Sequence, residues 1–292
     1  MKQWLVGLTA WMLVSSAFVA HSSTIRVAAQ DVNETIVLAH MAALLIEAHT
    51  DLNATVNESF TGASVLHQAM VGNAIDVYPS WTGTQLTGIL RYEGENLPSE
   101  ETFRMVSEGF REQFNMFWSE PLGFNNTYTF VVRPETAEEF SLRVASDLAA
   151  VAGDMTLAGD SNFDIRPDAY PGWSEHYGIS FDRLVTMQYG LLYRAIGQGE
   201  VDAAVAYSTD SRIATLGLVM LEDDKEFFPD YSGAFIVRGE TVENFPEVLE
   251  VLNRLGGMID DSTMSALNGR FDAGEEPSDI ARDFLQDVGL LN

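Results

Sequence analysis

The sequence predicts an α/β protein of two lobes, each a mixed, mostly parallel sheet flanked by helices, with a ligand cleft between the lobes. Three observations carry this expectation. Short apolar strands alternate with helical patterns from residue 26 onward, the rhythm that gives parallel sheets with right-handed crossovers. One local pattern occurs twice. Ile75-Asp76 is followed, five residues after the aspartate, by Trp81 and Thr82-Gly83-Thr84, and Val201-Asp202 is followed at the same interval by Tyr207 and Ser208-Thr209-Asp210. Each copy follows a helix-like stretch ended by a glycine, Gly72 or Gly199. Lastly, two apolar strands that each end in arginine, Thr129 to Arg133 and Ala234 to Arg238, bracket a self-sufficient α/β segment, as expected if one lobe is inserted into the other.

The chain opens with Lys2 and an apolar run from Trp4 to Ala20, broken by Thr9, Ser15 and Ser16; Ala20-His21-Ser22 offers a small-residue cleavage site. Residues 1–22 read as a secretory signal peptide, because the run is short for a membrane span of about 20 residues. Arg26 to Ala29 is the first strand. Ile36, Val37, His40, Met41, Leu44, Leu45 and Ala48 recur at helical spacing, giving an amphipathic helix that Asp31 or Asn33 can cap. A second strand near Ala54 to Glu58 leads to Thr61-Gly62-Ala63-Ser64, where Ser64 can cap a helix through Met70. Ile75 to Tyr78 is the third strand, and a long helix follows near Glu100 to Asn115. The second lobe is expected at residues 129–228. It holds a helix at Ala145 to Val151, a strand at Met155 to Ala158, a helix at Gly190 to Gly197 and a strand at Val201 to Tyr207. The first lobe then comprises residues 23–128 and 229–292, with Ile280, Phe284 and Val288 beyond Pro277 packing back on it.

Composition narrows the function. With 43 acidic residues against 16 basic ones the formal net charge is −27, and Lys2 and Lys225 are the only lysines. Such a chain is repelled by nucleic acid and by anionic membranes. The acids are spread along the chain rather than gathered into a tail, which fits a solvated surface adapted to a salty exterior. There is no cysteine, which excludes disulfides, thiolate metal sites, a cysteine nucleophile and a lipoprotein anchor. Export without a lipid anchor points to a periplasm, and the protein is expected to act there as a monomer.

Trp81, Tyr128, Tyr207 and Tyr231 each sit at the end of a strand-like run, flanked by small or hydroxylated residues. An open parallel sheet binds ligands outside the carboxyl ends of its strands, so two related lobes would present aromatic rings to one cleft. Aromatic walls with few charges suit a cation that cannot donate hydrogen bonds, and quaternary ammonium is the obvious candidate. Taken singly, each ring reads as an ordinary core aromatic.

The chain resembles the osmoprotectant-binding subunits of ABC importers, the periplasmic family for glycine betaine, choline, carnitine and related quaternary amines. The matching stretches are Asp76-Val-Tyr-Pro-Ser-Trp-Thr-Gly-Thr84, Pro121-Leu-Gly-Phe-Asn-Asn-Thr-Tyr128, Arg166-Pro-Asp168, Tyr207-Ser-Thr-Asp210, and Leu221-Glu-Asp-Asp-Lys225 with Phe227-Phe-Pro229 and Tyr231. The resemblance implies a type II periplasmic binding protein that needs no cofactor and delivers its ligand to a membrane permease. Its aromatic cage would be Trp81, Tyr128, Tyr207 and Tyr231. A threonine, an arginine and a lysine hold the ligand carboxylate in the betaine-binding members. The first two match Thr84 and Arg166, and Gln30 stands at the lysine position, leaving Arg166 as the main carboxylate partner. Trp81 stands where a tyrosine is more usual.

Arg166, between Asp164 and Asp168, also reads as a surface arginine, and Thr84 as a cap for the helix after Gly83. Asn125 and Asn126 can shape a hinge turn or, in the case of Asn126, touch the ligand. Nothing supports catalysis: His40 falls on the apolar face of the first helix, His49, His67 and His176 lack a partner motif, and no H-x-x-x-H, nucleophile elbow or phosphate loop occurs. A secreted enzyme acting on choline-like compounds would need a base or nucleophile in the cleft, and a sensor module would dock on a receptor. Glu222-Asp223-Asp224 reads as a solvated loop, since three successive side chains cannot face one ion.

Overall fold

The computed structural model describes residues 23–94, 96–160, 163–164 and 169–292; the expected signal peptide lies outside them. Ten strands form two five-stranded sheets among the described residues. The first contains β1 (Thr24–Gln30), β2 (Asn53–Phe60), β3 (Val77–Trp81), β4 (Met116–Trp118) and β10 (Gly233–Arg238), in the order β2-β1-β3-β10-β4. The second contains β5 (Tyr128–Val132), β6 (Thr156–Gly159), β7 (Arg183–Thr186), β8 (Ala203–Tyr207) and β9 (Val219–Leu221), in the order β7-β6-β8-β5-β9. Both sheets are mixed in the same way. The second strand in each order, β1 or β6, runs parallel to its two neighbours, and the crossing strand β10 or β5 is antiparallel to its own two. The doubled pattern read from the sequence is therefore a doubled topology.

The central strands are apolar without alternation because both faces are covered; β5 is buried at every position. The first sheet carries apolar cores on its two faces, one around Val37, Phe235 and Leu252 and one around Tyr78, Phe110 and Ile236. The second sheet's core centres on Phe130, Phe163 and Trp173.

Helix α1 (Asn33–His49) differs from the expected amphipathic element. It is buried nearly all round, from Glu34 to Ile46, because the helices Asp261–Asp272 and Pro277–Asp287 cover the side that the sheet leaves open. Ile280, Ala281, Phe284 and Leu285 enter that core with α1, which is where the C-terminal stretch was expected to pack. A helix that is apolar on all sides is a buried helix.

Two capping expectations fail. Val32 precedes α1 with no side-chain cap, and Asn33 lies inside the first turn, where its Oδ1 accepts from the Glu34 amide at 2.8 Å. Gly62 precedes the helix α2 (Ala63–Val71), so Ser64 is already a helical residue. The expected helix at residues 145–151 is 3-10 in form, Ala145–Ala150. Strands β4, β7 and β9, of three or four residues each, are too short to leave a period in the sequence.

Candidate binding site between the sheets

Six of the expected site residues meet in one cavity of about 660 Å³: Trp81, Thr84, Asn126, Tyr128, Tyr207 and Tyr231. Trp81 ends β3 and Tyr207 ends β8, the two strands of the doubled pattern. Tyr128 opens β5 directly across from Tyr207, as its Cα partner in the antiparallel register. Asn126 lies in the segment that runs from the first sheet into the second, and Tyr231 in the segment that returns. Gln30, at the end of β1, is half-buried and does not line the cavity; its Nε2 is buried with no partner among the described residues. Arg166 lies outside the described residues.

The rings form a continuous wall on the second sheet. Tyr128 and Tyr207 stack with centroids 5.0 Å apart at 28°, and Tyr189, which the sequence did not single out, adds a third ring 5.1 Å from Tyr207. Tyr189 also lines the cavity, and its hydroxyl accepts from the Tyr207 amide at 3.1 Å and donates to Asp210 at 3.0 Å. Burial pushes the Tyr189 and Tyr207 phenols well above their ordinary range, so both stay neutral. Neutral rings keep the electron-rich faces that attract a cation.

On the first sheet, Trp81 is held by its indole edge. Its Nε1 donates at 2.7 Å to Glu34, in the first turn of α1. Glu34 is 1% exposed and also accepts from Asn126 Nδ2 at 3.1 Å, Thr209 Oγ1 at 2.8 Å and Asn268 Nδ2 at 3.2 Å. Burial drives its pKa above the ordinary carboxylate value, against these four hydrogen bonds. One side chain thus ties Trp81, both asparagines and the loop after β8 to a single point.

The two crossing segments are locked to each other. Asn125 Oδ1 accepts from the Tyr231 amide at 2.8 Å and the Asn125 carbonyl accepts from Ser208 Oγ at 2.6 Å. Asp230, buried beside Tyr231, accepts from Thr82 Oγ1 at 2.6 Å and Ser99 Oγ at 2.7 Å. Gly83 lets this segment approach the helix α3 (Thr82–Gly88). A Cβ there would stand 2.4 Å from the Asp230 carbonyl oxygen and 3.0 Å from the Tyr231 ring. Thr84 is inside α3 rather than capping it, and its position on the cavity wall is fixed by that short helix.

The far end of the cavity is built from the loop after β8. Arg212 donates to Asp210 at 2.8 and 2.5 Å, with its guanidinium 4.2 Å from the Tyr193 ring centroid and 5.2 Å from that of Tyr189. Burial works against the Asp210 charge, but the Arg212 hydrogen bonds outweigh it and hold the carboxyl below its ordinary value. Across the gap, Ser211 Oγ donates to Asp272 at 2.7 Å and Asn268 Nδ2 donates to the Thr209 carbonyl at 3.0 Å. These bonds join the helix Asp261–Asp272 of the first half to the second.

The remaining candidates have structural tasks. His40 pairs with Glu58 on β2 at 2.5 Å rather than entering the core. His67 is wedged against Phe110 and Phe114, and burial lowers its pKa. Asp223 accepts from the Tyr177 hydroxyl at 2.5 Å and the Phe228 amide at 2.8 Å, and Asp224 accepts from the Ser146 amide at 3.0 Å. That acidic run therefore pins its loop instead of being merely solvated. Among the described residues no group of three or more metal-ligating side chains converges, and no helix is long and apolar enough to cross a membrane.

The family model for the substrate-binding domain of an ABC-type glycine betaine transport system matches residues 23–287. The chain belongs to this family. The carnitine transport binding protein OpuCC of Listeria monocytogenes is 34% identical over 98% of this chain and 96% of its own length. The ergothioneine transport permease/ergothioneine binding protein EgtU of Helicobacter pylori is 29% identical over 98% of this chain and 51% of its own length. The crystal structure of a glycine betaine/carnitine/choline ABC transporter superposes with a TM-score of 0.87 at 33% identity, covering 92% of this chain and all of that one. As a member of this family the protein is a non-enzymatic component of an ABC importer with the two-lobed binding-protein fold. The site features that sequence reading missed in this family member are Glu34, Tyr189, Thr209 and Asn268. Glu34 directly follows Asn33 in the first helical turn, and Tyr189 directly precedes the predicted helix, so position next to an element's start was the available signal.

Proposed function

We propose that this protein captures a quaternary-ammonium osmolyte such as glycine betaine, choline or carnitine in an aromatic cage and delivers it to the membrane permease of an ABC importer. The observation that carries this reading is the convergence of Trp81, Tyr128, Tyr207 and Tyr231, from two sheets and a crossing segment, on one cavity. Each ring contributes about 0.5–2 kcal/mol to a desolvated cation, so four supply much of a micromolar affinity of about −8 kcal/mol. Thr84 and Asn126 are assigned to the polar end, and Arg166 to a ligand carboxylate.

In this reading residues 1–22 direct export to the periplasm and are removed. Residues 23–128 with 229–292 make one lobe and 129–228 the other. The protein works as a monomer whose lobes close on the ligand by hinge motion at the paired segments around Asn125 and Tyr231. A thermal-shift screen over choline, glycine betaine, carnitine and ergothioneine, followed by calorimetry, tests it. A ligand that binds only the native state raises the melting temperature. Stabilisation by sugars, amino acids or metal ions, with every methylated ammonium inert, would overturn the cage.

A further inference from the structure

The two halves of the molecule meet along a polar seam beside the cavity. On one side stand Glu34, in the first turn of α1, with Asn268 and Asp272 on the helix Asp261–Asp272. On the other stand Thr209, in the loop after β8, and Ser211, which starts the short helix that follows. Thr209 Oγ1 and Glu34 Oε2 are 2.8 Å apart, Asn268 Nδ2 donates to the Thr209 carbonyl at 3.0 Å, and Ser211 Oγ donates to Asp272 at 2.7 Å. Glu34, Thr209 and Asn268 are all buried, Thr209 to 2% exposure, so the heart of the seam is closed to water. Gly269 permits the close approach, since a Cβ there would stand 3.2 Å from that of Ser211.

Glu34 ties this seam to the aromatic wall. Its Oε1 takes Trp81 Nε1 at 2.7 Å and Asn126 Nδ2 at 3.1 Å, while Oε2 faces Thr209 and Asn268. The two oxygens belong to one planar group, so the orientation that braces the Trp81 ring is also the one presented to Thr209. Either protonation state makes the contact: a carboxylate accepts from the Thr209 hydroxyl, and a carboxylic acid donates to it. Thr209 lies two residues after Tyr207, so docking it on Glu34 also fixes how far the tyrosine wall stands from Trp81. Parting the halves would break these cross-bonds together and wet Glu34. None of them exists before the halves meet.

We propose that Glu34 is a positioning residue that couples the seating of a cation against Trp81 to closure of the two halves through Thr209, and so sets how slowly the ligand is released. The inference rests on the reading of the cavity as a quaternary-ammonium site that closes by hinge motion. Glu34 acts through Trp81 and Thr209 rather than on the ligand itself. The coupling is reciprocal: a ligand that orders Trp81 favours the closed seam, and the closed seam favours the ligand. Its bonds form after the encounter, so its signature lies in the dissociation rate rather than the association rate.

The test is stopped-flow tryptophan fluorescence with the tightest binder among choline, glycine betaine and carnitine, for the wild type, Thr209→Val, Glu34→Gln, the double variant and Gly269→Leu. Thr209→Val removes one hydroxyl, and Glu34→Gln sets an amide nitrogen against a neighbouring donor, since a carboxamide accepts on one oxygen only. Each should speed dissociation about tenfold and change association less than about threefold. The double variant should release the ligand within about threefold of the faster single one, because both substitutions remove the same contact. Gly269→Leu suits the helix better but wedges the seam. It should release the ligand faster with no fall in the ligand-free melting temperature, which a loss of fold stability would not produce. Unchanged release in Thr209→Val or in Gly269→Leu overturns the proposal, as do single effects that multiply in the double variant. Should Glu34→Gln fail to fold, those two variants decide: faster release in both supports the coupling. A wild type that binds none of the three amines defeats the cage reading and the coupling with it, whereas binding with unaltered release defeats the coupling alone.

Discussion

In each half of the molecule an aspartate two residues or fewer before the ligand-facing strand stitches that strand to its parallel neighbour. Asp76 exchanges backbone bonds with Arg26, accepting on Oδ2 at 2.9 Å and donating its amide at 2.8 Å; Asp202 does the same with Thr156, at 2.8 and 3.0 Å. In each half an arginine at the end of the crossing strand comes back to this aspartate, but the outcomes differ. Arg238 reaches Asp76 at 2.6 Å, joined by Arg26 at 2.7 Å and Thr241 at 3.2 Å. Arg133 stays 3.9 Å from Asp202 and gives its hydrogen bonds to the carbonyls of Val201 and Ile196. The Asp76 side chain is 5% exposed and that of Asp202 41%. One sequence pattern has become an ion cluster around a buried aspartate in one sheet and a mainly backbone-held turn in the other.

The aromatic ends diverge in the same spirit. Tyr207 faces Tyr128 across the strand pair and shares its wall with Tyr189, whereas Trp81 faces Gly233. Phe124 occupies the space where a side chain at 233 would go: a Cβ there would lie 2.3 Å from its ring. The first half therefore places fewer rings on its sheet end and braces Trp81 through Glu34.

Removing the aspartates gives the largest expected contrast. Asp76→Ala takes the shared carboxylate from Arg26, which keeps the Asn73 carbonyl, and from Arg238, which keeps Glu240, and should lower the unfolding free energy by about 2–3 kcal/mol, against about 1 kcal/mol for Asp202→Ala, both measured by denaturant titration. Equal losses would mean that the ion cluster adds nothing beyond the strand stitch. Burial opposes the Asp76 charge, but Arg26 and Arg238 bring its pKa down to about 2 from 3.8. Its contribution is thus complete above pH 3.8 and is lost as pH falls through about 2.

Next in size is the pair of facing rings. Trp81→Ala should cost about 1–3 kcal/mol of ligand binding, and Tyr207→Ala less, because Tyr128 and Tyr189 remain beside it. Ligand should also change tryptophan fluorescence, and the change should vanish in Trp81→Phe, since Trp118 and Trp173 are buried in the two cores. Calorimetry giving Trp81→Ala the wild-type affinity would remove the first half from the site.

Screening should act on both halves alike. With 43 acids against 16 bases, the melting temperature should climb by a few degrees from low salt to about 1 M; a flat or falling curve rejects salt adaptation.

The smallest effect concerns Glu34, the acid that joins the halves. Burial raises its pKa above the ordinary 4.5, so its contribution to stability is most favourable below pH 4.5 and is lost as pH rises through the raised value. A bound cation favours the ionised form, so ligand binding just above pH 4.5 should release protons, seen as a buffer-dependent enthalpy in calorimetry. Proton uptake would contradict the sign.

Much of this was legible in residues close together in sequence. The repeated Asp-to-aromatic interval identified β3 and β8 and put Trp81 and Tyr207 at their ends, because a strand's period and its polar stop are local properties. Apolar runs from Thr129 to Arg133 and from Ala234 to Arg238 identified the crossing strands, each to within one residue, for the same reason. What the sequence could not hold is anything that depends on which surface covers another. Whether α1 is half or wholly buried was decided by helices more than 200 residues away. Asp76 and Asp202 sit in one pattern, yet their surroundings were set by how far Arg238 and Arg133 could reach. Glu34 is one more acid in an acidic chain until Trp81, Asn126, Thr209 and Asn268, up to 234 residues distant, converge on it. Hydrogen-bond partners and desolvation belong to the packed chain, because both depend on distances that only folding creates.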